Sequence, residues 1–532
     1  MSEPGTATAA PSSPTSRPSS PVASAAGPSL AAHPRRWAAL AVIVAGQLMI
    51  VLDNSIMNIA LPSAARDLGI SDADRQWAIT AYSLAFGGLL LLGGRVADFV
   101  GRKRALVVAL VGFAGASAIG GAATSASMLF AARALQGAFG ALLAPAALSL
   151  ITVMFVSTRE RARAFSVFGA VSGAGGAIGL LAGGALTEYL DWRWCLYVNA
   201  PIAVFAAFFA LRLVPESKAH GARRLDVPGV VLATGGLVSL VYAFTHAAKQ
   251  TTGADGLPST VGWGDPTVIT LLAVAVAALA AFVVLETRTA NPLLPMRVVL
   301  DRNRGGSYLV FLLLGAGLFA MFLFMTLHLQ VVLGWTPLKA GLGFLPFALA
   351  VIASAGLVAR LLPRVGPRPL LVTGLAMASA GMLLLVRTTP DSSYASTILP
   401  SALIIGTGLA LVFVPASSTA LLGVEDHDAG VASAVLNTAQ QVGGSLGLAL
   451  LNTIAIGAFT GKLTDLVATG ADPRSAAVLA TAQVHGYHVA YVWGAAFFAA
   501  GLVVSLVVMA VSRKSMPDPE DEAAGEPAVA VA

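Results

Sequence analysis

The chain consists of long apolar stretches separated by short polar segments. About fourteen of these stretches are long enough to cross about 30 Å of hydrocarbon as α-helices. They begin near Trp37, Trp77, Ala105, Met128, Ala164, Trp194, Val227, Thr267, Gly306, Leu338, Leu370, Thr397, Val431 and Val489. The pattern predicts an all-α membrane protein, with a longer polar loop at residues 460–488 before the last helix.

The composition agrees with a lipid-embedded protein. Of the 532 residues, 57% are hydrophobic and 11% are charged, whereas a soluble domain carries about 25% charged residues. The net charge of +6 would also suit a nucleic-acid-binding protein. However, the cations lie in short loops between apolar stretches and form no patch with interleaved aromatic residues. We therefore expect a lipid bilayer as the partner, and no nucleic acid.

The loops indicate the orientation of the chain. An even number of spans puts both termini on one side, and most of the 32 Lys and Arg residues fall in the alternate loops on that side. The positive-inside rule assigns it to the cytoplasm. We predict a disordered cytoplasmic tail at 1–36, a six-helix bundle at 37–214, a linker with two extra transmembrane helices at 215–300, a second six-helix bundle at 301–513, and a disordered cytoplasmic tail at 514–532.

Residues 93–104 form a basic segment between the second and third spans. Its glycines allow a turn, and Asp98 is the one acid among four cations. A carboxylate at a helix end can pair with arginine or point at a neighbouring helix N-terminus. We therefore predict a short, tight connector in which Asp98 acts as a latch. The alternative, an ordinary positive-inside loop, would explain the cations but not the spacing of the glycines and the aspartate. Residues 359–368 resemble a second copy that has lost the acid.

Two ionisable residues lie inside predicted spans. Asp53 is in the first span, and an ionised carboxylate is costly at that depth. Its charge is expected to depend on what fills the neighbouring cavity, as in a proton carrier. Arg133, in the fourth span, needs a counter-charge, and Asp53 is its expected partner. Two alternatives stay open: Asp53 forms a purely structural ion pair, or Arg133 extends to the membrane interface.

Further polar positions are candidates for lining a substrate cavity. In the first span, Gln47, Asn54 and Asn58 share one helical face. The thirteenth span carries a similar polar stripe. The complete candidate set is Gln47, Asn54, Asn58, Gln136, Asn437, Gln440 and Gln441.

The fifth span is rich in glycine. Two series repeat every four positions, Gly169 and Gly173 and then Gly175, Gly179 and Gly183. They give the helix a smooth face for close packing or sliding. From the spacing alone, a close-packed interface without motion is as good an interpretation as a sliding one.

The sequence offers little for catalysis or cofactor binding. Cys195 is the only cysteine, so we expect no intrachain disulfide and no multi-cysteine metal site. No G-x-x-x-x-G-K-[ST] or H-E-x-x-H motif occurs, so ATP hydrolysis and zinc proteolysis are not expected. We predict a protein that is not an enzyme and needs no cofactor or metal.

Several segments resemble one family of membrane proteins. Gly94, Asp98, Gly101, Arg102 and Lys103 resemble the loop signature between helices two and three of the major facilitator superfamily of secondary transporters. Residues 52–62 are similar to the helix-one signature of its fourteen-helix drug:proton antiporter branch, the EmrB/QacA type. The segment around Arg133 is similar to the helix-four motif, whose arginine is associated with proton coupling. The fifth span resembles the antiporter motif, with Leu180 where a proline is usual.

The resemblance implies the major facilitator fold, two six-helix bundles plus two inserted linker helices, which rock about a central cavity. It implies proton-coupled efflux of amphiphilic small molecules or drugs across the bacterial cytoplasmic membrane, with Asp53 and Arg133 in proton coupling and the proton gradient as the energy source. Alternatives are an exporter of a self-made metabolite, lipid or siderophore, an importer, and a non-transporting membrane sensor. The need for an accessory periplasmic protein stays open.

Overall fold

The computed structural model describes residues 35–155, 157–218, 226–252, 258–289, 292, 294, 296–424 and 429–511. Within them, fourteen helical spans are long and apolar enough to cross a membrane, which agrees with the number predicted. The two predicted tails, 1–36 and 514–532, lie outside the described residues except for Arg35 and Arg36.

The first six spans form an N-terminal bundle. The sixth span is built from two consecutive helices. The elements are α1 (Arg36–Asp67), α2 (Trp77–Val100), α3 (Arg102–Gly121), α4 (Ala126–Met154), α5 (Thr158–Tyr189), α6 (Trp194–Tyr197) and α7 (Asn199–Leu213).

Two inserted helices follow, α8 (Val227–Ala247) and α9 (Pro266–Arg288). Each begins with an aspartate that accepts backbone N–H groups of the first turn and a proline within that turn, which is a favourable helix start. A small antiparallel hairpin, β1 (Gln250–Thr252) and β2 (Pro258–Thr260), lies between them. The hairpin was not predicted, because strands of three residues carry almost no periodic signal.

The last six spans form the C-terminal bundle. Two of them contain a π-helical turn, at His328–Val332 and Tyr394–Ile398. The α-helices are α10 (Met296–Val299), α11 (Arg302–Leu327), α12 (Pro337–Gly343), α13 (Leu345–Val365), α14 (Pro367–Leu385), α15 (Leu399–Leu421), α16 (Ala429–Ala468) and α17 (Ala476–Val507).

The predicted connector at 93–104 is wrong in extent. Helix α2 continues to Val100 and α3 begins at Arg102, so Gly101 alone breaks the helix. Its φ of 116° lies in a region that residues with a Cβ rarely adopt. The second copy behaves alike, because Gly366, with a φ of 84°, is the single residue between α13 and α14. We call the end of the molecule that carries Gly101 and Gly366 the basic end.

The predicted polar loop at 460–488 is also wrong. Helix α16 runs to Ala468 and α17 starts at Ala476, which leaves a connection of 469–475. Both flanks are rich in alanine and leucine, which favour helix even where the mean hydropathy is low. Apolar content marks only the part of a helix that lies in lipid. Predictions from apolar content therefore made both helices too short.

Close packing in the N-terminal bundle depends on glycines that the sequence analysis did not single out. A Cβ at Gly137 of α4 would collide with the Tyr82 carbonyl of α2, and a Cβ at Gly93 of α2 would collide with the Ala141 carbonyl of α4. The two helices therefore touch backbone to backbone, as small residues allow in membranes.

We expect Gly137→Ala to lower the thermal unfolding midpoint, because the added methyl group forces α2 and α4 apart at a cost of about 1–3 kcal/mol. Gly169→Ala is the matched control, since nothing lies within 4 Å of its added Cβ; it should be neutral or slightly stabilising. Fluorescence-detected melting of the two purified variants in detergent measures the difference. Equal midpoints would contradict the close approach of α2 and α4.

Candidate functional site

A buried polar network lies inside the N-terminal bundle. Asp53 Oδ2 is 2.6 Å from Arg133 Nη1, and both side chains are fully buried. The other carboxylate oxygen, Oδ1, accepts hydrogen bonds from Gln136 Nε2 at 2.9 Å and from Asn199 Nδ2 at 2.7 Å. The carboxylate is thus held by one cation and two amides, which is how a buried charge is stabilised.

The guanidinium of Arg133 is fixed from several helices. Its Nε donates to the Ala78 carbonyl of α2 at 2.8 Å, and its Nη1 donates to Gln136 Oε1 at 2.8 Å. It also lies over the Tyr82 ring, 4.6 Å from the ring centre. Arg133 therefore does not extend to the interface, and its expected pairing with Asp53 is confirmed.

Three further members of the network come from helices that the sequence could not bring together, and a fourth, Gln136, lies three residues from Arg133 on α4. Gln136 Nε2 donates to Ser117 Oγ of α3 at 2.7 Å, Asn199 belongs to α7, and Tyr82 belongs to α2. Gln136 had been expected in the substrate cavity, but the structure places it in this network. Asn199 and Ser117 were not among the predicted site residues, because a single small polar residue in a membrane helix is common and carries little signal.

A larger cavity of about 480 Å³ lies at the basic end between the two bundles. Gln47 of α1 and Asn437 of α16 both line it, and so does Asp98 of α2. The walls are mainly apolar: Phe86, Leu90, Leu91, Ala144, Pro145, Leu148, Phe165, Phe168, Leu421, Val431 and Ala434. Its volume is in the range of small-molecule sites.

The remaining cavity candidates lie further from the basic end. Asn54, Asn58 and Gln440 line a smaller cavity of about 180 Å³. Asn58 also donates to the Asn54 carbonyl of its own helix at 2.9 Å. Gln441 lines neither cavity and packs against Gly87 of α2. The seven candidates thus divide among two cavities, the buried network and a helix contact.

At the end opposite the basic end the bundles are in direct contact. The Leu338 N–H donates to Glu188 Oε2 at 2.9 Å, and Gln330 Nε2 donates to the Ile59 carbonyl at 2.9 Å. A Cβ at Gly184 would lie 2.7 Å from Leu338 Cα. Contacts between the bundles therefore close the protein at this end, and the large cavity lies at the basic end.

The family-like residues of the signature loop contact one another, α4, the end of α7 and the chain that follows α7. Asp98 Oδ1 forms an ion pair with Arg102 Nη2 at 2.8 Å. Lys103 Nζ donates to the Leu211 carbonyl at 2.7 Å, and a Cβ at Gly101 would lie 2.6 Å from Glu216 Oε1. Gly94 faces Pro145 of α4 at ordinary contact distance. In this state the contacts just described all lie within the N-terminal half.

Three of the five glycines predicted on α5 pack against α1. Cβ atoms at Gly175, Gly179 and Gly183 would approach α1 atoms to 3.1, 2.8 and 2.9 Å. Gly169 faces open space, and Gly173 lies outside the residues whose side-chain surroundings the structure describes. The close contacts flank Asp53, because the α1 residues involved include Leu52 and Ile56.

This fold and this buried pair lead to the family. A family model for the Major Facilitator Superfamily matches residues 43–448. The chain belongs to the major facilitator superfamily, whose members are transporters, and the prediction of two six-helix bundles with two inserted helices is confirmed.

Its relatives are resistance and export proteins. The chain is 52% identical over 481 residues to the puromycin resistance protein pur8 of Streptomyces alboniger, covering 90% of this chain and 91% of that one. It is 35% identical over 485 residues to a probable actinorhodin transporter of Streptomyces coelicolor, covering 88% and 81%. It is 34% identical over 428 residues to the multidrug efflux pump LfrA of Mycolicibacterium smegmatis, covering 80% and 82%.

A solved structure has the same fold. It is a bacterial homologue of the human lysosomal transporter Spinster in an inward-facing and occupied conformation. The TM-score is 0.63 at 15% identity, and the match covers 91% of this chain and 99% of that one.

We expect Arg133→Met to lower stability by about 3–5 kcal/mol, because it leaves Asp53 buried beside no cation. The double variant Asp53→Leu/Arg133→Met removes both charges and should recover much of that loss. Thermal melting of the two single variants and the double variant in detergent gives the coupling energy. Additive losses would contradict a buried ion pair.

Proposed function

We propose that this chain exports amphiphilic small molecules across the bacterial cytoplasmic membrane in exchange for protons, by alternating access of its two bundles. The observation that carries the proposal is the Asp53–Arg133 pair, buried in one bundle beside the interface between the two. Relatives named for antibiotic resistance and export support the same direction of transport.

The cavity at the basic end supports the class of substrate. Its walls are mainly aromatic and aliphatic, and its polar groups include the amides of Gln47 and Asn437 and the charged side chains of Arg95 and Asp98. Such a surface binds a molecule by its apolar bulk and orients it with few hydrogen bonds. Asn54, Asn58 and Gln440 would meet the substrate in the smaller cavity as the bundles rock.

Proton coupling follows from electrostatics. A proton on Asp53 removes one charge of the buried pair, and Arg133 is then held by the carbonyl of Ala78, the amide oxygen of Gln136 and the ring of Tyr82. Protonated and deprotonated states therefore differ in how strongly α1 is attached to α4. Because α5 packs on the Asp53 segment of α1 through Gly179 and Gly183, a shift of α1 reaches the α5–α12 contact at the closed end.

The signature loop would stabilise the alternate state. Here Asp98 lines the open cavity and pairs with Arg102 of its own half. When the basic end closes, Asp98 comes within reach of the C-terminal bundle and can accept hydrogen bonds from a helix N-terminus there. Gly94, Gly101 and Lys103 would keep α2 and α3 in the position that this requires. We further propose that the basic end, with both termini, is cytoplasmic, by the positive-inside rule.

The flux experiment uses purified protein in liposomes loaded with ethidium or puromycin as probe substrates. An imposed proton gradient should drive uphill substrate movement by the wild type. Asp53→Asn should abolish uphill movement and keep downhill exchange, because the amide carries no exchangeable charge.

Asp391→Asn is the matched control, since Asp391 is an exposed loop aspartate; it should transport like the wild type. Uphill transport by Asp53→Asn would refute the coupling role, and uptake in the opposite direction would identify an importer.

The orientation is tested by cysteine labelling in intact cells. In a Cys195→Ser background, a cysteine at exposed position 391 should react with a membrane-impermeant maleimide. A cysteine at exposed position 218 should react only after the membrane is permeabilised. The reverse pattern would place the basic end outside.

A further inference from the structure

Two buried acids lie at the base of the inserted helices. Asp226 immediately precedes α8 and is 8% exposed, and Glu286 lies near the end of α9 and is 2% exposed. One oxygen of each side chain faces the other acid across Gly229. Asp226 Oδ2 and Glu286 Oε1 both lie within 3 Å of the point where a Cβ on Gly229 would stand, so the missing side chain of Gly229 leaves room for both oxygens.

The outer oxygens of this pair have ordinary donors, and the facing oxygens do not. Asp226 Oδ1 accepts from the Gly229 N–H at 3.0 Å, and Glu286 Oε2 accepts from the Leu294 N–H at 2.9 Å. Neither Asp226 Oδ2 nor Glu286 Oε1 accepts from an N–H or hydroxyl group among the described residues. Among the described residues, the hydrogen-bonding group left for each of these two oxygens is the other carboxyl group.

One cation faces the pair within the described part of the chain. Arg95 of α2 acts on Glu286 electrostatically and donates to the Pro292 carbonyl, in the same segment as Leu294. Helix α16 also packs against α8, but its ionisable residues, Lys462 and Asp465, lie near the opposite end. The pair thus joins α8, α9, the segment leading to the C-terminal bundle, and the helix that carries the signature loop.

Two ionised carboxylates in contact in a buried site repel strongly, and a single proton between them converts the repulsion into a charge-assisted hydrogen bond. One proton also leaves a net charge of about −1 for the pair, which the positive charge of Arg95 can balance.

We propose that Asp226 and Glu286 share a single proton and form a second protonation site, separate from Asp53, that holds the inserted helices against α2 while the cavity lies open at the basic end. One carboxyl O–H donates to the facing oxygen of the other carboxylate. Loss of the proton to solvent at the basic end leaves two negative charges in contact, so the pair separates. The segment at Pro292 and Leu294 is then released, and with it the start of the C-terminal bundle.

Proton sharing itself is tested without substrate or gradient, so its outcome is independent of the proposed export. Infrared spectra of the full chain in lipid nanodiscs report protonated carboxyls through their C=O stretch. At neutral pH the wild type should show such a band, and it should persist in Asp53→Asn. Asp226→Asn and Glu286→Gln should each lose it, because the new amide donates to the remaining carboxylate and no shared proton is needed.

Glu160→Gln is the control for loss of a glutamate, since Glu160 pairs with Arg36 at 2.7 Å and is partly exposed; it should keep the band. Persistence of the band in both amide variants, or its absence in the wild type, would overturn the proposal. Size-exclusion profiles establish that each variant is folded, and the amides preserve both volume and hydrogen bonding.

The conformational role is measured by spin labels at positions 152 and 421, which line the cavity from the two bundles. The background is Cys195→Ser with Asp53→Asn, so that the first site does not titrate. Raising the pH should shift the distance distribution towards the closed basic end, and Glu286→Gln should lose this shift. An unchanged shift in Glu286→Gln would remove the conformational role. Should the flux assay show no proton coupling while the infrared band behaves as expected, the shared proton stands and the export proposal falls.

Discussion

The fold depends on one ion pair that has no access to water. Asp53 and Arg133 lie 2.6 Å apart with no exposed surface, and removal of either charge alone would leave the other stranded in a medium of low dielectric constant. This constraint explains why α2, α3, α4 and α7 all contribute groups to the network that surrounds the pair. The helices of the N-terminal bundle are arranged around this carboxylate as much as around apolar packing.

Sequence patterns predicted most of the fold. The number of spans and the inserted pair follow from hydropathy. The break in each signature segment follows from the position of a glycine, Gly101 in one and Gly366 in the other. Helix ends were less accurate, because α16 and α17 extend beyond their apolar parts and α2 continues through its polar end. Apolar content reports contact with lipid, whereas the backbone stays helical wherever its hydrogen bonds remain intact.

The candidate site was only partly predictable. Asp53 and Arg133 were recognisable because single charges in apolar spans must find partners. Gln136, by contrast, turned from the expected cavity to the carboxylate, and Asn199 and Ser117 joined the network from helices distant in sequence. Asp226 and Glu286 gave no signal at all, since acids at helix ends are common on membrane surfaces. Only their tertiary arrangement shows that both are buried.

The glycines at the closed end have a consequence for how such a protein changes over generations. Gly184 faces the backbone of α12 so closely that any side chain there would separate the halves. Few substitutions are therefore tolerated at the contact of Gly184 with α12, and adaptation to a new toxic compound has to occur elsewhere in the protein. The aromatic and aliphatic wall of the 480 Å³ chamber tolerates exchange of one apolar residue for another. Related sequences should therefore differ mainly in the residues of that wall and keep the glycine at the contact between the halves.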